Sequence, residues 1–162
     1  MKLQTTNRSN GFTIIEVVLV AVVLCVLSAL IILTASGVQA KNRNGERQTH
    51  IDIIRGQIES YFAQNDKYPT LNNLNDPAWR KANLPRIKDA SLQDPRWSKK
   101  TSACTVNNQA VLSESPRPNC YSYQVVGADG KTCYNDGPSP CLHYTLTANL
   151  EGGETYAKTS LN

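Results

Sequence analysis

Apolar positions crowd into the first quarter of this chain. Residues 17–33 are apolar without interruption except for Cys25 and Ser28. As a helix rising 1.5 Å per residue, about 20 such residues cross the hydrocarbon core of a bilayer. The pattern therefore predicts a membrane-crossing helix over residues 12–36. Over residues 37–66 it changes to one apolar face per turn. Ile51, Ile54, Ile58 and Tyr61 or Phe62 recur at spacings of three and four, with Arg47, Asp52, Arg55 and Glu59 expected on the other sides. This reads as an amphipathic continuation of the same helix. Gly37, Gly45 and Gly56 weaken it locally, each by up to about 1 kcal/mol relative to alanine. Asn65 and the Tyr68-Pro69 pair end it.

Residues 67–118 have no strong period and hold six of the eight prolines. They read as a loop region with one short helix near residues 76–82, where Asp76 would cap and Pro77 would suit the first turn. Over residues 119–162 the period becomes two. Tyr121, Tyr123 and Val125 alternate with Ser122 and Gln124. Tyr144, Leu146, Ala148 and Leu150 alternate with Thr145, Thr147 and Asn149. Asp129-Gly130 is a hairpin-type turn, and Gly152-Gly153 joins the last strand to residues 154–159. The expected fold is α+β: a long N-terminal helix, transmembrane in its first half and amphipathic in its second, packed on a small C-terminal antiparallel β-sheet.

Composition adjusts this picture in two ways. At 162 residues the chain fits one modest domain plus a non-globular element, and its net charge of +4 demands no acidic partner. Five cysteines are present. Cys25 sits in the apolar run as a small packing residue. Cys104, Cys120, Cys133 and Cys141 lie in the polar part, where they suggest two disulfides and an extracytoplasmic compartment. A zinc site is the competing reading, disfavoured because no two of them form a Cys-x-x-Cys knuckle. Local pairing favours Cys133–Cys141, around a turn-rich loop, and Cys104–Cys120, around Pro116 and Pro118. The apolar run could also be a secretory signal peptide, but it is longer than the usual h-region and begins with an acid, Glu16.

The segment Gly11-Phe12-Thr13-Ile14-Ile15-Glu16-Val17-Val18-Leu19-Val20 resembles the prepilin cleavage and methylation motif of type IV pilins and pseudopilins. The later stretch YFAQNDKYP, residues 61–69, resembles the end of the long helix in that superfamily. The resemblance implies that residues 1–11 are a leader and that a membrane-embedded prepilin peptidase cuts between Gly11 and Phe12. The new Phe12 amine is then N-methylated. It implies a single-pass protein of the cytoplasmic membrane, N-terminus inside, with residues 12–36 as assembly helix and 37–162 as extracytoplasmic domain. Lys2 and Arg8 suit that orientation, whereas Lys41, Arg43 and Arg47 count against it. Assembly into an extracellular helical homopolymer, through an inner-membrane platform and its ATPase, would follow. Glu16 would pair with the Phe12 amine of a neighbouring subunit, relieving two charges that are costly in an apolar setting. An interfacial role for Glu16 at the headgroups is the simpler alternative.

The implied function is a structural subunit of a type IV pilus, serving adhesion, motility or DNA uptake. A pseudopilin of a type II secretion or competence apparatus is the near alternative, and a singly anchored binding module the distant one. Residues 79–100 carry seven cations (Arg80, Lys81, Arg86, Lys88, Arg96, Lys99 and Lys100) against Asp89 and Asp94, beside Trp79 and Trp97. Such a stretch could contact DNA, or the acidic Glu151/Glu154 hairpin of a neighbour, or only solvent. Asp129, Asn135, Asp136 and Glu151 could offer oxygens to calcium but lack a regular ligand spacing. His50 and His143 fall in no metal or nucleophile motif. With no nucleophile–base pattern or phosphate loop either, the sequence points to neither enzyme nor cofactor nor bound metal.

Overall fold

The computed structural model describes residues 11–98, 103–134, 137 and 139–161, and only the backbone of residues 30–36. Expectations for the leader, Lys99, Lys100, Asn135, Asp136 and the far end of the apolar run lie outside the described side chains. The chain divides into two compact units, Met1–Gln39 and Ala40–Asn162. One helix, α1 (Ile14–Asn65), contributes to both. It starts at Thr13, whose carbonyl and hydroxyl oxygens accept the Glu16 N–H at 3.1 and 3.3 Å. It ends where Asp66 turns to a positive φ of 55°, after Asn65 Nδ2 has donated to the Tyr61 carbonyl.

In the second unit the face predicted from spacing is the core. Ile51, Ile54 and Ile58 are each fully buried, worth about 1.5–3 kcal/mol apiece. Tyr68, Leu74, Leu84, Leu112, Tyr123, Tyr144, Leu146 and Ala148 belong to the same buried cluster. Arg47 departs from expectation. It lies in phase with the isoleucines, four residues before Ile51, and is buried rather than solvent-facing.

The stretch 67–118 contains more structure than one helix. Helix α2 (Leu71–Asn75) begins with a capping box, in which Thr70 Oγ1 accepts the Asn73 N–H and Asn73 Oδ1 accepts the Thr70 N–H. Helix α3 (Pro77–Asn83) starts at the Asp76 cap read from the sequence, Asp76 Oδ1 accepting from the Ala78 N–H at 2.9 Å. A 3₁₀ turn follows at Asp89–Leu92. Strands β1 (Thr105–Val106) and β2 (Gln109–Ala110) form a small hairpin around Asn107 and Asn108. Both asparagines have positive φ, the conformation a two-residue hairpin turn needs.

The main sheet is antiparallel in the order β3 (Tyr121–Val126), β4 (His143–Asn149), β5 (Thr155–Thr159). Tyr123 is opposite Leu146 and Ala148 is opposite Tyr156. Gly152 and Gly153, at φ 102° and 90°, turn β4 into β5, because L side chains rarely adopt those angles. Asp129-Gly130 turns the chain within a long β3–β4 connection and does not join the strands directly. Ser113 pairs with β3: its N–H donates to the Tyr121 carbonyl, and its carbonyl accepts the Tyr123 N–H. That covers the edge of β3 and buries Ser122. The cysteines are bonded Cys104–Cys120 and Cys133–Cys141. The first bond ties the β1 hairpin to the start of β3. The second closes the β3–β4 connection, where the Cys141 carbonyl accepts the Tyr68 N–H at 2.8 Å.

Candidate assembly site

Glu16 follows Phe12 by four residues at the head of α1. Gly11 is exposed, and a side chain there would meet nothing within 4 Å. Phe12, Glu16, Val17 and Val20 line one shallow depression of about 330 Å3. Around it the large apolar side chains stand open, Ile14 at 86% and Ile15 at 76% exposure. Ser28 satisfies its hydroxyl locally by donating to the Leu24 carbonyl at 2.7 Å, and Cys25 is a free, exposed thiol. Among the described residues no helix is long and apolar enough to cross a membrane. The apolar sequence runs on through residues 30–36, whose side chains are not described.

In the globular unit, a charged cluster binds α1 to the β4–β5 turn. Arg47 and Asp94 are each 2% exposed and form a two-point pair, Nε–Oδ2 at 2.7 Å and Nη2–Oδ1 at 3.0 Å. Arg47 Nη1 also donates to Asn44 Oδ1 at 2.8 Å and to Glu151 Oε1 at 3.3 Å. Arg43 grips both Glu151 oxygens, and Arg96 reaches Glu151 Oε2 at 3.1 Å. The Arg43 hydrogen bond outweighs partial burial and holds the Glu151 carboxyl down to about 2. Asn44 completes the clasp: its Oδ1 accepts the Glu151 N–H at 2.8 Å and its Nδ2 donates to the Glu151 carbonyl at 3.1 Å. Asn75 holds the Leu112 backbone in the same two-way manner. A single amide side chain here does what a neighbouring strand would do.

No protein-family model matches the chain, and no solved structure matches it. Three proteins do. It is 24% identical over 129 residues to the type II secretion system core protein G of Escherichia coli (strain K12), covering 80% of this chain and 88% of that protein. It is 29% identical over 66 residues to the type IV major pilin protein PilA of Myxococcus xanthus (strain DK1622), covering 41% of this chain and 30% of that one. Over 64 residues it is 32% identical to the type II secretion system core protein G of Dickeya chrysanthemi, covering 40% and 42%. It thus spans most of the first relative and less than half of the other two. The chain is thus similar to a type IV major pilin and to type II secretion system core proteins G.

On this pilin-like fold the predicted basic stretch is not one surface. Arg80 is buried, donating to the Leu74 carbonyl and to Asp89, and Arg96 turns to Glu151. Lys81, Arg86 and Lys88 are exposed. The expected contact of this stretch with a neighbour's Glu151 needs correction, because Glu151 is held by three arginines of its own chain. Of the oxygens considered for calcium, Asp129 accepts the Lys131 N–H and Glu151 is occupied. Among the described residues no group of three or more His, Cys, Asp or Glu could hold a metal ion. His50 Nδ1 lies 3.0 Å from the Tyr121 hydroxyl, and His143 Nδ1 lies 3.5 Å from Ser160 Oγ. Sequence reasoning missed the Asn44 and Asn75 clasps and the Arg47–Asp94 pair. The only available signal was that Arg47 continues the isoleucine period.

Proposed function

We propose that this chain is a structural subunit of a type IV pilus. Residues 1–11 are its leader and 12–36 its transmembrane and assembly helix. Residues 37–162 are its extracytoplasmic domain. A prepilin peptidase cuts between Gly11 and Phe12 and methylates the Phe12 amine. The subunit waits in the cytoplasmic membrane, N-terminus inside, until a platform and its ATPase move it into an extracellular homopolymer. The observation that carries this reading is the head of α1. A run of large apolar side chains stands exposed around one carboxylate, Glu16, four residues from the amine that cleavage would create. Lipid and then neighbouring helices would cover the run, and the neighbour's amine would answer the carboxylate. No catalytic role is assigned to any residue.

A pseudopilin of a type II secretion apparatus is the second reading, favoured by the longer alignment, to a secretion-system core protein. The two staples in the extracytoplasmic domain favour a long, exposed pilus. Electron microscopy of surface filaments, with intact-mass analysis of their main subunit, decides between them. We expect filaments whose main subunit begins at N-methylated Phe12. Retention of Met1 in assembled filaments would sink the processing step. Absence of filaments, together with a secretion defect on deletion, would transfer the chain to the second reading.

A further inference from the structure

We propose that the globular unit carries a binding groove for a neutral oligosaccharide, built around Tyr61, Trp79 and Tyr134. The groove has a volume of about 550 Å3, and Lys67, Thr70 and Asn72 also line it. That is within the range of small-ligand sites, roughly 300–1,000 Å3. The rings of Tyr61 and Trp79 meet at 5.3 Å and 58°, so the wall is an aromatic corner rather than a flat patch. Tyr134 is 64% exposed despite its large ring. Among the described residues the Tyr134 hydroxyl, the Asn72 amide and the Trp79 indole N–H take no hydrogen-bond partner. A second depression, of about 690 Å3, shares Thr70, Asn72 and Tyr134 with the first. A ligand longer than one ring could therefore lie across the Tyr134 side chain.

This chemistry matches a sugar better than its competitors. A pyranose has an apolar C–H face and a rim of hydroxyls that both donate and accept. Aromatic rings take the face, and an amide, which also donates and accepts, takes a pair of rim hydroxyls. Among the described residues Lys67 is the one charged residue of the first groove, too few cations for a phosphate backbone. The walls of the first groove come from α1, α2, α3 and a loop, with no strand among its described lining on which a peptide could pair. The inference goes beyond the filament reading, because it concerns the globular unit of the free chain whether or not filaments form.

The test uses the full chain in a zwitterionic detergent without a sugar headgroup. Saturation-transfer NMR is run with maltotriose, cellotriose and chitotriose as probes. We expect transfer to at least one of them. Tyr134→Ala and Asn72→Ala should each weaken binding at least about fivefold, the equivalent of about 1 kcal/mol, with near-UV circular dichroism and thermal midpoint unchanged. No transfer to any of the three sugars overturns the proposal. So does undiminished binding by both variants, or displacement of the sugar by a short oligothymidylate, which would assign the groove to nucleic acid.

Discussion

Five isoleucines of one helix divide the molecule. Ile14 and Ile15 are 86% and 76% exposed, while Ile51, Ile54 and Ile58 are fully buried. The residue type and the helix are shared. Only the covering differs. From Ala40 onward the chain supplies its own cover, as a three-stranded sheet, short helices and two disulfides. Around the head of α1 the large apolar side chains among the described residues stand open, and contiguous apolar surface of that extent is the mark of an interaction site. The second unit thus has a buried core of its own, and the proposed filament would supply the cover that the described head of α1 lacks.

Substitution can break this contrast from either side. The largest effect is expected at the head. Glu16→Ala should be exported and cleaved, yet leave the neighbour's Phe12 amine unanswered in an apolar setting, a penalty of several kcal/mol. Filament yield in a strain lacking wild-type subunit should fall at least about tenfold. Thermal unfolding of the globular unit should not change. Normal yield would remove the pairing role.

Next comes the globular unit's buried ion pair. Asp94→Ala strands the Arg47 cation and should lower stability in urea titration by about 3–5 kcal/mol. The paired change Arg47→Met with Asp94→Leu should recover most of that loss. A negligible effect of Asp94→Ala would mean that solvent reaches Arg47. Replacing Cys104 and Cys120 together by serine should cost about 2–4 kcal/mol without altering the helicity of the head. Equal stability of the variant and the parent protein would show that this bond adds nothing.

The mildest perturbation is acid. Glu151 titrates near 2 in the fold and near the ordinary carboxylate value, about 4.3, when unfolded. The folded form binds its proton less readily, so this contribution is intact above that value and is lost as pH falls from about 4.3 toward 2. The melting temperature should be flat down to about pH 5 and then decline. Glu151→Gln should flatten that limb, and an unchanged limb in this variant would assign the decline to other groups.

What the sequence disclosed was what neighbours along the chain decide. The isoleucine period, the Asp76 cap of α3, the Gly152-Gly153 turn and the Ser28 bond all arise within about one helical turn or one hairpin. The pattern that nominates Gly11, Phe12 and Glu16 is likewise contiguous, and their processing and pairing roles belong to the proposal above. The reading failed where a partner lay far off. Arg47 was assigned to the solvent side because it is charged, and the carboxylate that permits its burial is 47 residues away. Asn44 meets Glu151 across 107 residues, and Asn75 meets Leu112 across 37. No local rule marks an asparagine as a substitute strand. Helix α2 was legible in principle, since Thr70-x-x-Asn73 is a capping box with asparagine in place of glutamate or glutamine.

The tyrosines of the core have an optical consequence. Tyr144 donates to Glu59 at 2.7 Å and Tyr123 to the Pro69 carbonyl at 2.8 Å, and Tyr121 lies fully buried. Burial pushes all three phenols above their ordinary range, and the Glu59 carboxylate adds to the effect at Tyr144. Once unfolded they ionise near 10. The fold therefore retains protons that the open chain would release, and alkali above about pH 10 draws it toward opening. In strong base the phenolate absorbance of these rings should rise only as fast as the domain opens. The protein thereby carries its own dye for the rate at which its globular half comes apart.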